Sequence, residues 1–371
     1  MKLTILGCFS ASPTKNSFPS AQILEICGNN FLIDCGEGTQ IQLRKSGIKF
    51  NSIEHIFISH LHGDHFFGLP GLISTFRLLG RIKPLKIYGP KGIKQAITLL
   101  LKLGDSWTNY ELKFIELEES KSIKLLENNK FSVHTIPLNH RIYTNGFLFK
   151  EKKNEKKLRI DIALKLKIDS TQFNGIKMGK DGVLPNGDII ENTKLTEPKP
   201  NDISYAYCSD TCYYPKIIDL INECDILYHE STFLDKHIEL ANRTKHSTAK
   251  QAAEIARTLG IKIYTIGVGK RGKAPFLVDS IFGKRLIYQD VDIDEKVLNK
   301  ISQMTEGKYF RATDLKSLKN IYKQIDLLEK SEVKILDHSK YKELFHYFLI
   351  PGLILFLTEI IFSNSFLRRL P

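Results

Sequence analysis

Four side chains able to hold a metal ion fall within six positions: His60, His62, Asp64 and His65. They follow the apolar run Ile56-Phe57-Ile58, whose β-branched and aromatic residues predict a buried strand that Gly63 interrupts. From an extended backbone His60 and His62 point the same way, and the turn brings Asp64 and His65 round to face them. Neutral imidazoles and a carboxylate suit Zn²⁺, and an open catalytic site keeps a position for water. Two such ions about 3.5–4 Å apart can clamp both oxygens of an in-line phosphoryl displacement. A polar loop that happens to be rich in histidine is the alternative. So many ligand types directly after a strand argue against it.

Further ligand types sit where other strands end. Pro137-Leu138-Asn139-His140 closes one strand, so His140 can project into the same cleft. Tyr205-Ala206-Tyr207-Cys208-Ser209-Asp210 closes another, and the two oxygens of Asp210 could bridge two metals. Ile226-Leu227-Tyr228-His229-Glu230 repeats the pattern. His246-Ser247-Thr248 precedes a helix predicted over Ala249–Leu259, with Ser247 or Thr248 as its N-cap.

The elements that must position these groups are legible in outline. A strand is predicted over Met1–Gly7, then paired strands at Ala21–Ile26 and Asn30–Asp34 turning at Gly28-Asn29. Helices are predicted from Gln40, from Gly68 to about Leu79 and over Lys91–Leu103, with strands at Leu85–Tyr88, Phe114–Leu117 and Phe131–Pro137. Between the strands Asn145–Phe149 and Ser204–Cys208 lies an insertion, residues 150–200. Its first part, residues 150–180, holds ten Lys or Arg against four Asp or Glu. A solvated surface excursion is the plain reading; a basic, flexible insertion also suits contacts to a phosphate backbone.

Composition bounds the class. A chain of 371 residues with 42% apolar residues can bury one large core or two ordinary ones. The formal charge of +13 favours polyanionic partners, nucleic acid or an anionic membrane surface. Six cysteines (8, 27, 35, 208, 212 and 224) form no CxxC pair, which makes a disulfide framework improbable and points to a reducing cytosol.

The His-x-His-x-Asp-His segment resembles the signature of the metallo-β-lactamase superfamily, which implies an α/β fold, the αβ/βα sandwich of two mixed sheets with helices outside. Over about residues 1–262 the ordered set resembles ribonuclease Z, the endonuclease that trims the 3′ trailer from precursor tRNA. That set is Pro13-Thr14-Lys15, Asp34-Cys35-Gly36-Glu37-Gly38, Ser59 to His65, Asn139-His140, Ser209-Asp210-Thr211, His229-Glu230 and His246-Ser247-Thr248. The resemblance implies one Zn²⁺ held by His60, His62, His140 and Asp210, and a second held by Asp64, His65 and Asp210. It makes Asp64 the residue that holds or deprotonates the attacking water and His246 the one that assists proton transfer to the leaving oxygen. Lys15, Lys177 and Lys180 would meet the substrate, the insertion serving as a tRNA-gripping arm, and the domain would form a homodimer.

The resemblance breaks near its end. The family's last zinc ligand, a histidine one strand after the His-Ser-Thr helix, is replaced by Val268, and no histidine occurs between His246 and His338. A weakened second site is the expectation. Residues 263–335 resemble instead the end of a von Willebrand factor A domain of membrane-anchored, aerotolerance-type proteins, a partial α/β fragment with helices at about 294–304 and 314–330. Leu344 to Phe362 is a run of 19 residues with only His346 and Glu359 ionisable, long enough for a transmembrane helix. With no export signal before the first strand, the simplest topology is a cytoplasmic catalytic part tail-anchored in the inner (cytoplasmic) membrane. Two other readings compete: a non-catalytic, membrane-tethered module keeping the fold, and a hydrolase of small phosphodiesters.

Overall fold

The computed structural model describes residues 1–330 except 10, 223, 269–271, 281–282 and 292, together with Thr358; for residues 272–280 and 283–291 it describes the backbone alone. The first half runs β1 (Lys2–Gly7), β2 (Ala21–Ile26), β3 (Asn29–Ile33), α1 (Thr39–Lys45), β4 (Ile53–Phe57), α2 (Gly63–Phe66), α3 (Leu69–Leu78), β5 (Leu85–Pro90), α4 (Ile93–Leu103) and β6 (Leu112–Leu117). Its six strands form one sheet in chain order. The pairs β1/β2 and β2/β3 are antiparallel, whereas β3 to β6 run parallel. Parallel neighbours need crossovers, and α1, α3 and α4 supply them.

A second sheet follows from β7 (Lys124–Glu127), β8 (Phe131–Pro137) and β9 (Asn145–Glu151). The insertion contributes α5 (Ile160–Lys165), α6 (Phe173–Lys177), β10 (Gly182–Val183), β11 (Ile189–Ile190) and α7 (Asn192–Leu195). Then come β12 (Ile203–Cys208), α8 (Ile218–Ile221), β13 (Ile226–His229), α9 (Ile238–Thr244) and α10 (Ala249–Thr258). The sheet order is β13-β12-β9-β8-β7.

Alternation along each strand explains why the two sheets stack. In β3, Phe31 and Ile33 face the inter-sheet core while Leu32 packs with the helices α1, α3 and α4 outside. In β12, Tyr205 and Tyr207 face inward, and Ala206 and Cys208 pack with Ile221 of α8 and Ile255 of α10. Both faces of these strands are therefore apolar, as a sheet covered on both sides requires. The seam is aromatic: Phe57 stacks on Tyr88 with centroids 4.6 Å apart and meets Phe147 edge-on at 5.2 Å. The expected αβ/βα sandwich is what forms.

The first hairpin differs in detail. Its turn is Cys27-Gly28, both at positive φ (49° and 79°), and Asn29 already pairs with Ile26. A two-residue turn whose twist matches its strands needs positive φ at both central positions, and Cys27 and Gly28 adopt it. The insertion also differs from a flexible excursion. It closes on its own apolar cluster, in which Ile168, Ile176 and Leu195 are buried. Backbone bonds from Arg159 N to Leu195 O (2.8 Å) and Glu197 N to Lys157 O (2.8 Å) tie its two ends together.

Beyond α10 lie β14 (Thr265–Val268), β15 (Gly272–Ser280), β16 (Gly283–Val291), α11 (Glu295–Met304), β17 (Tyr309–Ala312) and α12 (Leu315–Lys330). The two helices fall close to where the sequence places them. The von Willebrand A-like fragment does not emerge, however: β14 pairs only with β17, and β15 with β16, as two separate two-stranded pieces among the described residues. A fold defined by a covered central sheet needs more strands than these residues supply. Contacts within the chain divide it at residues 311 and 312. Among the described residues no helix is long and apolar enough to cross a membrane, and the transmembrane expectation at 344–362 falls outside them but for Thr358. Tail-anchoring thus finds no support in the structure.

Candidate metal centre

The strand β4, with Ile53, Ile56 and Phe57 buried, ends at Phe57; the chain continues to His62, which is extended (φ −74°, ψ 142°), and turns into the one-turn helix α2. That stop is enforced from below. A Cβ on Gly36 would sit 2.4 Å from the Asp64 carbonyl oxygen, so only glycine lets the loop after β3 lie against the ligand turn. The bond from Cys35 N to His65 O (2.8 Å) then holds the two loops together.

Three imidazoles converge. His60 Nε2 lies 3.1 Å from His62 Nδ1, and His140 Nε2 lies 3.2 Å from the same atom. Asp210, at the end of β12, brings Oδ2 to 3.5 Å from His60 Nε2 and 3.9 Å from His140 Nε2. All four ligand atoms lie within 4.8 Å of one another. Bonds of about 2.0–2.1 Å in a tetrahedron give edges of roughly 3.4 Å, so these separations fit a single ion.

The tautomers fit as well. The Lys245 carbonyl can only accept, so at 2.8 Å it assigns the proton of His140 to Nδ1 and leaves a lone pair on Nε2. The Ser59 hydroxyl donates to Asp34 Oδ2 (2.9 Å), so its oxygen accepts from His60 Nδ1 at 3.0 Å and again bares Nε2. Both lone pairs face His62 Nδ1, which carries at most one proton; a cation satisfies all three nitrogens. Burial, assisted by His60 and His140, lowers His62 to about 4, and burial likewise holds His60 and His140 below the usual imidazole range. Neutral imidazoles are the form a metal takes.

On the other side of Asp210, Oδ1 lies 3.6 Å from His65 Nε2, and Asp64 Oδ2 is 3.6 Å from the same nitrogen. One carboxylate thus offers one oxygen to each cluster. His65 is anchored behind by Asp34, whose Oδ2 is 2.7 Å from His65 Nδ1. Burial works against the imidazolium, but Asp34, joined by Asp210 and Asp64, outweighs it and His65 rises to about 9. Burial also works against the Asp210 anion, and the surrounding histidines, His60 first, hold it well below the usual carboxylate range.

His246 approaches from the start of α10, with Nε2 3.9 Å from Asp210 Oδ2 and Nδ1 2.8 Å from Glu230 Oε1. Thr248 caps that helix in a reciprocal pair with Gln251, which resolves the choice between Ser247 and Thr248. Glu230 accepts from Thr211 N, Ser247 N, Thr232 N and the Thr232 hydroxyl besides His246. Its oxygens are spent, so Glu230 orients His246 instead of holding an ion. Burial opposes charge on His246, yet Glu230 raises it above the ordinary value.

The structure therefore gathers His60, His62, Asp64, His65, His140, Asp210 and His246 in one place. Lys15 is exposed on the loop after β1, Lys180 is exposed in the insertion, and Lys177 is half-buried there with its carbonyl bonded to Lys156 N. Val268, at the end of β14, is 59% exposed. The orienting residues Asp34, Ser59, Tyr207 and Glu230 had no role assigned from sequence. Asp34 and Glu230 lie in motifs that stand out there, but nothing in the chain order says which histidine each one faces.

The stacked sheets with ligands at strand ends define a metallo-β-lactamase-type hydrolase. Residues 1–168 match the family described as Anti-Pycsar protein Apyc1. The chain is 45% identical over 266 residues to ribonuclease Z of Bacteroides fragilis, a match covering 72% of this chain and 88% of that one. Ribonuclease Z of Phocaeicola vulgatus is 46% identical over 263 residues, covering 71% and 85%. Among solved structures, the short form of human tRNase Z aligns with a TM-score of 0.51 at 29% identity, over 70% of this chain and 88% of that one. The Bacillus subtilis protein YhfI, of metallo-β-lactamase fold, aligns at 0.52 over 84% and 95%; at 14% identity it speaks for the fold alone. The chain belongs to the ribonuclease Z family.

Proposed function

We propose that the chain is a zinc-dependent endoribonuclease that removes the 3′ trailer of precursor tRNA by hydrolysing one phosphodiester. The observation that carries this reading is the placement of Asp210, one oxygen toward the His60–His62–His140 cluster and the other toward His65 and Asp64. Zinc ions held there would polarise the phosphate and acidify water. Asp64 would take the proton of the attacking water. His246, held by Glu230, is the acid that protonates the departing ribose oxygen as the new P–O bond forms and the old one breaks. The Nε2 of His246 faces the site, and Glu230 favours its charged form.

The first ion would take four protein ligands, His60, His62, His140 and Asp210. The second would take Asp64, His65 and a share of Asp210, with Val268 where the family places a histidine, which would make it the weaker site. The insertion, with Lys177 and Lys180, and the loop bearing Lys15 offer cations to the tRNA backbone. Leu78 at the end of α3, Ile82 in the loop after it and Leu103 at the end of α4 are exposed (84%, 84% and 77%), apolar side chains suited to contact with a second copy of the chain. Incubating the full chain with precursor tRNA and zinc, then sequencing the new 3′ end, tests the reading. Cleavage at the trailer boundary that Asp210→Ala abolishes is expected; no cleavage by the chain, with or without Val268→His, overturns it.

A further inference from the structure

The helix α9 stops at Lys245, which adopts a left-handed conformation (φ 59°, ψ 48°) seldom taken by residues with a side chain. The bonds Lys245 N to Asn242 O (3.3 Å) and His246 N to Ala241 O (2.9 Å) close the last turn, and Ala241 is fully buried. The reversal swings the Lys245 carbonyl away from the helix axis and onto His140 Nδ1 at 2.8 Å. The same reversal delivers His246, whose ring centroid lies 4.9 Å from that of His140. One helix stop thus serves a ligand of the first cluster and the acid beside it.

We infer that Lys245 is a positioning residue whose left-handed backbone, through its carbonyl, locks His140 in the tautomer that presents Nε2 to the first metal ion. The inference rests on the metal reading above. An acceptor that cannot donate is what this needs: with the proton held on Nδ1, the lone pair of Nε2 points at the space shared with His62 Nδ1 and Asp210 Oδ2. The backbone geometry matters here and the exposed ammonium does not, because the lysine side chain takes no part in the bond. Loss of an acceptor that orients a metal-bound imidazole typically weakens the metal about 10–100-fold.

Three replacements in the full chain separate geometry from charge. Lys245→Gly and Lys245→Asn remove the ammonium but tolerate the left-handed conformation, whereas the β-branched Lys245→Val does not. In titrations of metal-free protein with cobalt(II), read by visible absorption, the first ion should bind Gly and Asn variants as tightly as the unmodified chain. The Val variant should bind it about 10–100-fold more weakly, and excess metal should restore the spectrum. Equal affinity in all three variants refutes the inference while leaving the metal site standing; no cobalt uptake by the unmodified chain removes both. Should the Val variant fail to fold, long-range ¹H–¹⁵N spectra of the unmodified, metal-free chain decide the matter. They should show His140 protonated on Nδ1, and an Nε2–H tautomer overturns the inference.

Discussion

Replacing Asp34 with asparagine removes the anion that His65 faces on the side away from the metal ligands. Asp34 is fully buried and accepts from Ser59 N (2.7 Å), the Ser59 hydroxyl (2.9 Å), the Tyr207 hydroxyl (2.6 Å) and His65 Nδ1 (2.7 Å). An amide keeps one acceptor and turns a pair of donors toward groups that themselves donate. The charge effect is measurable separately. His65 rises from 6.5 to about 9 in the metal-free fold, a difference worth roughly 3 kcal/mol. A raised imidazole stabilises the fold below its unfolded value, and that contribution disappears as the pH climbs through the folded value. Chelator-treated protein should therefore lose about 3 kcal/mol of unfolding free energy between pH 6.5 and 9.5, whereas Asp34→Asn should start lower and lose markedly less, only what Asp210 and Asp64 at His65 and the raised His246 still contribute. Metal uptake beside His65 must displace the same proton, so below pH 9 its affinity should fall about tenfold per pH unit. Urea unfolding at the two pH values, with and without the substitution, provides the assay. Parallel losses in both proteins would mean that the proton on His65 does not depend on Asp34, and the anchoring role of Asp34 would be wrong.

Val268→His should tighten the second ion at least about tenfold and lower the zinc concentration needed for activity; unchanged isothermal titration curves would show that residue 268 does not reach the centre. Glu230→Gln leaves His246 facing an amide, so cleavage should fall about 10²–10⁴-fold and the alkaline limb of the pH–rate profile should move down. An unaltered profile would exclude His246 as the acid. The double variant Leu78→Lys and Leu103→Lys places charge at the exposed ends of α3 and α4 and should yield monomers by light scattering where the unmodified chain yields dimers; dimers in both would locate the interface elsewhere.

What the chain order determined was local. Residues His60 to His65 announce a metal-binding turn because their spacing matches an extended strand end, and the apolar alternation of β3, β8 and β12 follows from the period of two in a sheet. The resemblance of the ordered motifs was enough to name the family that the relatives then established. The hairpin turn was misplaced by one residue because Cys27 accepts positive φ without any sign in the sequence. The insertion looked like a solvated excursion because its small apolar cluster is assembled from residues such as Ile168, Ile176 and Leu195, up to 27 positions apart. The roles of Asp34, Glu230 and Lys245 were decided by tertiary structure alone. Each acts on an imidazole through a hydrogen bond spanning 31, 16 and 105 positions respectively. Such a bond leaves no periodic trace, because it depends on where two strand ends and a helix stop meet in space. The ligands are a matter of residue type, but which nitrogen each one offers is settled by the acceptor the fold places behind it.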